Sequence, residues 1–157
     1  MECCKIVRPA RPEELEEVYK HIELVSFENP YTLYYMKVLW SLSLGEYFLV
    51  SVGDKGLTGY VVAVPLENGV CHIASIAVRP QCRRRKVASC LLASLFEVCS
   101  ARGYRSFVLE VEYRNKAALA LYARHGFKIL GIMANYYGKG RHALVMVYVD
   151  EADWHKL

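Results

Sequence analysis

A run of four consecutive cationic residues is the stretch of this sequence best suited to bind an anion: Arg83, Arg84, Arg85 and Lys86. An apolar run over residues 73–78 precedes it, and a helical pattern begins directly after it. A helix that opens from a loop presents free N–H groups and a positive dipole end to whatever occupies that loop. The four cations therefore predict a ligand that carries phosphate.

The elements around this loop follow from apolar periodicity and turn residues. Strands are predicted at residues 5–7, 47–52, 57–64, 70–78, 106–111, 128–133 and 143–149. Helices are predicted from Pro12 onward and at residues 31–42, 87–101 and 115–124, the last with Asn115 as N-cap. The order β-α-α-β-β-β-α-β-α-β-β predicts an α+β (mixed α/β) fold with helices on the faces of a sheet.

Composition predicts one globular domain over residues 1–157. The chain is 54% hydrophobic and 23% charged, and its net charge of +4 is small enough for the basic run alone to account for it. The basicity is therefore local, which argues against a global nucleic-acid-binding field. No apolar run is long enough to span a bilayer and no secretory signal is visible, so we expect no membrane partner and a cytoplasmic location.

The cysteine pattern predicts free thiols rather than a metal site. The six cysteines include no C-x-x-C pair and the histidines are scattered, so we expect no metal. A disulfide would be plausible only in an oxidising compartment or in a hyperthermophile.

Two motifs, in their order and spacing, resemble the GCN5-related N-acetyltransferase (GNAT) family. One is the strand, basic loop and helix over residues 70–95. The other has family-like residues at fixed offsets: Asn115, Ala118, Leu121, Tyr122, Gly126 and Phe127. The resemblance covers residues 5–149 and implies a mostly antiparallel central sheet, splayed between the fourth and fifth strands, with helices on both faces. It also implies that the chain is an enzyme whose cosubstrate is acetyl-CoA.

Three further segments are similar to the protein N-terminal acetyltransferases of archaea and the bacterial alanine acetyltransferase that acts on a ribosomal protein. They are residues 72–78, residues 109–111 and the run from Asn135 to Tyr137. The resemblance implies that acetyl passes to the α-amine of protein N-termini or peptides, including those of ribosomal proteins, in a ternary complex. It leaves the oligomeric state open.

The resemblance implies a cofactor site built around the basic loop. Its residues would be Ile76, Ala77, Val78, Arg83, Arg84, Arg85, Lys86, Val87, Ala88, Asn115 and Tyr122. Backbone groups of residues 76–78 would bind the pantetheine arm like an added strand. Asn115 would reach that arm or serve only as a cap. Lys86 occupies a position where the family has glycine, and we expect its N–H to serve the pyrophosphate only if its φ stays negative.

The same resemblance implies the reacting groups. Glu110 lies on a strand whose Phe107, Leu109 and Val111 point to the opposite face, and the bacterial relatives use this glutamate as general base. His72, on the neighbouring strand, is the competing base because histidine titrates near neutrality. Tyr122 would protonate the departing CoA thiolate.

The expected peptide groove contains Phe27, Glu28, Tyr31, Tyr136 and Tyr137, since aromatic rings with polar ends suit a short peptide. Core packing is the competing interpretation for Phe27 and Tyr31. For the pair Tyr136–Tyr137, strand alternation would direct only one ring inward. Glu112 reverses a charge that the family often carries there.

Three alternatives stay open at this point. The chain could acetylate a small-molecule amine or a lysine side chain. It could be a non-catalytic acyl-CoA-binding module with a degraded loop. The third alternative, a nucleic-acid binder acting through the basic run, would show a steep salt dependence.

Overall fold

The computed structural model describes residues 1–150, so the last residues of the expected 1–157 domain, 151–157, lie outside the described part. One seven-stranded sheet runs in the order β1-β2-β3-β4-β5-β7-β6. The strands are β1 (Ile6–Pro9), β2 (Phe48–Gly53), β3 (Gly56–Pro65), β4 (Val70–Val78), β5 (Ser106–Glu112), β6 (Lys128–Met133) and β7 (Ala143–Tyr148). The helices are α1 (residues 12–26), α2 (Leu33–Leu42), α3 (Val87–Ser100) and α4 (Lys116–Arg124). The expected element order and mixed fold class are confirmed.

The sheet is antiparallel at every junction except one. Strands β4 and β5 are parallel, and they pair only at Val70–Ser106, Cys71–Phe107 and His72–Val108. Strand β4 nevertheless continues to Val78 and β5 continues to Glu112. The two strands therefore part beyond His72, which is the splay that the family resemblance implied.

Helices cover both faces of the sheet, each over its own apolar core. On one face, Leu91 and Leu95 of α3 pack with Phe107 of β5. On the other face, Ile22 of α1 and Met36 of α2 pack with buried residues of β2 and β3. Strand β5 alternates buried and part-buried residues, as a strand between a core and a cleft should.

Two helices differ from the sequence expectation. Helix α1 is a composite of a 3₁₀ turn (Pro12–Glu14), an α turn (Leu15–Val18), a π turn (Tyr19–Glu23) and a final α turn (Leu24–Ser26). Helix α2 starts at Leu33 rather than at residue 31 because the Thr32 hydroxyl caps it, accepting the Tyr35 N–H at 3.1 Å. None of the helices in residues 1–150 has both the length and the apolar character needed to cross a bilayer.

The expectation that all cysteines are free thiols was wrong. Cys3 and Cys82 form a disulfide across 79 residues of sequence, with their Cα atoms 5.8 Å apart. The Thr58 hydroxyl donates to the Cys3 carbonyl at 2.7 Å, which fixes the N-terminal segment close to the turn that contains Cys82. Sequence spacing carries no signal for such a long-range pair. The other cysteines, Cys4, Cys71, Cys90 and Cys99, are free.

Candidate functional site

The basic loop forms a concave backbone surface at the N-terminus of α3. Arg84 and Lys86 have positive φ angles of 61° and 63°. A mixture of positive and negative φ turns successive N–H groups toward one side, which is the geometry of an anion-binding nest. The N–H groups of Arg84, Arg85 and Lys86 donate to no protein group within residues 1–150. Together with the free N–H groups of the first turn of α3, they suit a pyrophosphate.

The condition set for Lys86, a negative φ, is not met: its φ is 63°, yet its N–H donates to no protein group in the described chain. The lysine itself adopts the left-handed backbone conformation that a glycine favours, and it is the residue directly before α3. A side chain in that conformation is strained by about 1 kcal/mol. The loop therefore keeps the expected backbone shape without the expected glycine.

The four cationic side chains of the loop divide into two pairs. Arg83 donates to the Val78 carbonyl at 3.2 Å and to the Ser26 hydroxyl at 3.2 Å. Arg85 donates to the Met1 carbonyl at 3.3 Å. Arg84 and Lys86 are exposed and bind no group in the described chain. The Arg84 guanidinium and the Lys86 ammonium are therefore free to contact an anion. Val87 is buried and anchors the start of α3, while Ala88 is half-buried beside it.

The expected pantetheine segment lies on the unpaired edge of β4. Ile76, Ala77 and Val78 pair with β3 on one side, opposite Val61, Tyr60 and Gly59 respectively. On their other side β5 has already diverged, so that edge has no strand partner in the described sheet. An extended arm with amide groups can pair with such an edge as an added strand.

His72 and Glu110 meet where β4 and β5 part. The His72 Nε2 atom lies 2.8 Å from Glu110 Oε1 and 3.1 Å from Oε2. His72 is the last residue of β4 that pairs with β5, and Glu110 follows its partner Val108 by two residues. The side chain of His72 is 32% exposed and that of Glu110 is 17% exposed, so both contact solvent but are partly buried. The two candidate bases of the sequence therefore form one hydrogen-bonded pair.

Tyr122 lies on α4 with its ring packed edge-on against Phe127 at 5.6 Å between ring centres. Burial raises the pKa of Tyr122 well above its ordinary value, so its hydroxyl keeps its proton at neutral pH. That hydroxyl hydrogen-bonds to no group within residues 1–150, which leaves its proton available to an incoming acceptor. Asn115 accepts the Ala118 N–H at 3.1 Å, so the capping role expected of it is confirmed.

Tyrosines surround the His72–Glu110 pair. The Tyr136 hydroxyl approaches Glu110 Oε1 at 3.5 Å. Burial and the nearby Glu110 charge raise the pKa of Tyr136. Burial, with Tyr35 and Glu23 nearby, raises the pKa of Tyr31 to about 12. The Tyr137 pKa is also raised, first by burial and then by Tyr136 and Glu110. All three hydroxyls are therefore neutral donors.

The expected strand position of the two C-terminal tyrosines was wrong. Tyr136 and Tyr137 follow β6 in a turn, where Asn135 has a φ of 56°, so strand alternation does not apply. Their rings meet edge-on at 4.9 Å between centres. Tyr136 is 49% exposed and Tyr137 is half-buried, which still leaves both rings beside the site.

The loop between α1 and α2 forms the facing wall. Phe27 is exposed rather than part of the core, whereas Tyr31 packs partly against the core of that face. Glu28 is exposed, and its Oε2 atom lies 3.7 Å from Arg141 Nη1. Arg141 Nη2 also forms an ion pair with Glu112 Oε2 at 2.9 Å. Arg141 lowers the Glu112 pKa through this hydrogen bond. The negative charge that Glu112 introduces at this position is therefore paired with Arg141 beside the groove.

Sequence reasoning missed a polar cluster behind this wall, formed by buried Glu23 and Tyr60 with part-buried Ser75. The signal was present for Glu23. It follows Tyr19 by four residues and so lies on the same helix face as Leu15, Tyr19 and Ile22. Because that face is apolar, its position predicts a buried carboxylate. The pairing of Tyr60 with Ser75 depends on the register of β3 and β4 and leaves no trace in sequence spacing.

Comparisons with known proteins identify the family of the chain. Residues 13–127 match the model of the acetyltransferase (GNAT) family. An N-alpha-acetyltransferase of Saccharolobus solfataricus is 30% identical over 152 residues, covering 89% of this chain and 90% of that protein. The [ribosomal protein bS18]-alanine N-acetyltransferase of Salmonella typhimurium is 41% identical over 96 residues, covering 59% of this chain and 64% of that protein.

A solved structure gives the same result for the fold. The crystal structure of Ard1 from Thermoplasma volcanium has a TM-score of 0.85 to this chain at 27% identity, covering 91% of this chain and 95% of its own. The family match spans the basic loop, the His72–Glu110 pair and Tyr122. The chain therefore belongs to the GNAT acetyltransferase family and is an N-acetyltransferase.

Proposed function

We propose that this protein transfers acetyl from acetyl-CoA to the α-amine of protein N-termini, by direct attack in a ternary complex. The observation that carries the proposal is the hydrogen-bonded His72–Glu110 pair at the point where β4 and β5 part. That pair borders both the open edge of β4 and the three tyrosines of the groove, Tyr31, Tyr136 and Tyr137. A thioester lying along β4 and an amine held by the tyrosines would therefore meet beside Glu110.

The described residues fit the cosubstrate that GNAT enzymes use. The unpartnered N–H groups of residues 84–86 and the first turn of α3 would hold the pyrophosphate. Exposed Arg84 and Lys86 would add charge-assisted contacts. The free edge at Ile76–Val78 would hold the pantetheine amides. Acetyl-CoA, when bound, supplies an acetyl group activated as a thioester.

The chain's own groups then move two protons. The Glu110 carboxylate takes a proton from the substrate ammonium, directly or through one water, and His72 Nε2–H holds that carboxylate in position. The freed amine forms a C–N bond to the acetyl carbon as the C–S bond breaks, and the new amide nitrogen releases its extra proton to water. The Tyr122 hydroxyl, neutral because burial raises its pKa, donates its proton to the departing sulfur. Backbone N–H groups near Val78 stabilise the oxyanion.

The α-amine of a protein is favoured over other amines by two observations. The Saccharolobus solfataricus relative that spans nearly the whole chain is an N-alpha-acetyltransferase. The groove beside Glu110 is also lined by the aromatic rings of Tyr31, Tyr136 and Tyr137, and the Tyr137 hydroxyl binds no group in the described chain. Such groups can pack on a peptide and donate to its carbonyls. The α-amine would enter from this groove.

The test is steady-state acetylation of peptides by the wild type, Glu110→Gln and Tyr122→Phe. We expect kcat to fall by about 100-fold or more in each variant, because each removes a group that transfers a proton in the transition state. Glu46→Gln, which changes an exposed carboxylate paired with Arg102, is the matched control and should retain wild-type kcat.

Substrate class is tested with two peptides of one sequence containing a lysine, one with a free N-terminus and one with a blocked N-terminus. Mass spectrometry should find acetyl on the α-amine only. Acetylation of the lysine in the blocked peptide at a comparable rate would contradict the α-amine proposal. Unchanged kcat in both Glu110→Gln and Tyr122→Phe would contradict the assigned roles.

A further inference from the structure

A carboxylate that the proposed chemistry does not use is buried behind the peptide groove. Glu23 is only 1% exposed and lies at the end of the π turn of α1. It forms no ion pair with any residue in the described chain. Burial raises its pKa, against two hydrogen bonds that lower it. A carboxyl in such a setting is costly unless its partners satisfy it.

Glu23 has two partners, and they belong to different parts of the site. Its Oε2 accepts the backbone N–H of Tyr31 at 2.8 Å, at the end of the groove loop. Its Oε1 accepts the hydroxyl of Tyr60, a fully buried residue of β3. One side chain thus joins the loop that carries Phe27 and Glu28 to the central sheet.

Both partners lead to the same point on β4. Tyr60 Oη is 2.8 Å from the Ser75 hydroxyl. The Tyr31 hydroxyl donates to the Ala74 carbonyl at 3.1 Å. Ala74 is the extra residue of a β-bulge, since Val62 pairs with Ser75 while Ala63 pairs with Ile73. A bulge re-aims the local backbone, and here it is fixed from two sides by groups that Glu23 holds.

We propose that Glu23 is a positioning residue for the peptide substrate. It holds Tyr31 against the bulge at Ala74, so that the Tyr31 hydroxyl stays within electrostatic range of Tyr136 and Glu110. This rests on the proposed function, because the ligand it positions is the peptide of that function. A leucine at position 23 would remove both acceptors, leaving the Tyr31 N–H and the Tyr60 hydroxyl without them.

The experiment measures peptide and acetyl-CoA kinetics for the wild type, Glu23→Leu, Glu23→Gln and Tyr60→Phe. For Glu23→Leu we expect the peptide KM to rise about 10-fold, the effect of losing roughly 1.4 kcal/mol of hydrogen bonding. The KM for acetyl-CoA should stay within about 2-fold of wild type, since no residue of the basic loop contacts Glu23.

Glu23→Gln should restore a peptide KM within about 3-fold of wild type. Its amide oxygen can accept the Tyr31 N–H, and its NH₂ group can donate to Tyr60 Oη, which then donates to Ser75. Tyr60→Phe removes one hydroxyl and leaves the fold's apolar contacts, so it tests the same link if Glu23→Leu does not fold. We expect a rise of about 3-fold in its peptide KM.

Glu16→Leu is the matched control, because Glu16 lies on the same helix and pairs only with exposed Lys20. The inference is overturned if folded Glu23→Leu or Tyr60→Phe keeps the wild-type peptide KM, or if the acetyl-CoA KM rises equally. Failure of the proposed function looks different: the wild type itself would bind acetyl-CoA and acetylate no free N-terminus.

Discussion

Two residues of the basic loop give it a concave backbone surface through their own φ angles. Lys86 has a φ of 63° directly before α3, and Arg84 has a φ of 61° two residues earlier. The shape of the basic loop therefore depends on its backbone angles. The identity of a side chain only makes these angles more or less favourable. The glycine that the family has at position 86 would adopt a positive φ without strain. Lysine is strained in that conformation but adds a positive charge. Strain and charge have separate measurable consequences.

Replacing Lys86 by glycine and by alanine separates the two consequences. Both variants lose the charge, but only glycine removes the strain. We expect Lys86→Gly to raise the free energy of unfolding above that of Lys86→Ala by about 1 kcal/mol. Both should weaken acetyl-CoA binding about 3-fold at low salt, with the difference vanishing at high salt.

Calorimetric titration and denaturant unfolding measure the two effects. An acetyl-CoA Kd equal to wild type in both variants would show that the lysine is a tolerated substitution rather than a phosphate contact. A lower stability of the glycine variant would contradict the strain argument.

Elements whose boundaries are set locally could be predicted from the sequence, and those set by tertiary contacts could not. Strand β4 was predicted at residues 70–78 and lies at Val70–Val78, between a tight turn and the basic loop. The π turn in α1 could not be predicted, because the sequence of its five residues is typical of an ordinary α-helix. The contacts of Glu23 with Tyr31 and Tyr60 that accompany this turn are tertiary, and the sequence does not indicate them. The turn between β6 and β7 agrees with the strands predicted at residues 128–133 and 143–149, but the φ of 56° at Asn135, which excludes strand alternation at Tyr136, left no sequence signal beyond the asparagine itself.

The junction of β1 with α1 contains an ion pair that should make its stability depend on pH. Glu14 accepts two hydrogen bonds from the Arg8 guanidinium at 2.8 Å and one from the Arg11 N–H at 2.9 Å. The Arg8 hydrogen bonds lower the pKa of Glu14 to about 2. Because the folded pKa lies below the unfolded value of about 4.3, this stabilisation is present above pH 4.3 and is lost as the pH falls toward 2.

Glu14→Gln should therefore lower the free energy of unfolding by about 2 kcal/mol at pH 7. Glutamine keeps an acceptor for the Arg11 N–H, so the variant isolates the charge. The difference from wild type should shrink between pH 4.3 and pH 2 in denaturant titrations. The exposed Glu16→Gln variant is the control and should match wild type throughout. A gap that stays constant with pH would mean that the cap geometry, not the charge, had been lost.

At the scale of the whole molecule, the N-terminal segment is linked to the basic loop. Residues 1–4 lie against β2 and β3, where Asp54 N–H donates to the Glu2 carbonyl at 2.9 Å. Gly53 permits this close approach, since a Cβ there would meet the Glu2 carbonyl oxygen at 2.6 Å. The disulfide then joins Cys3 to Cys82, the residue before Arg83. The chain's beginning and its basic loop are thus one covalent unit.

The disulfide should contribute strongly to stability, because it closes a loop of 79 residues in the unfolded chain. In the chain-entropy model, closing a loop of this length stabilises the folded state by about 4.5 kcal/mol. A phosphine reductant should therefore lower the Tm of the wild type by about 10 °C, and Cys82→Ser should show the lowered Tm without reductant. Cys90→Ser, which changes a free thiol, is the matched control and should still respond to the reductant.

Alkylation of the denatured, unreduced protein counts the thiols independently of stability. We expect four labelled cysteines of the six, rising to six after reduction. Six labels without reduction would mean that the purified protein lacks the bond, and an equal Tm shift in Cys82→Ser and wild type would mean that the reductant acts elsewhere. Because Cys82 adjoins Arg83, acetyl-CoA binding by the reduced protein would then measure how much of the basic loop's order comes from this single cross-link.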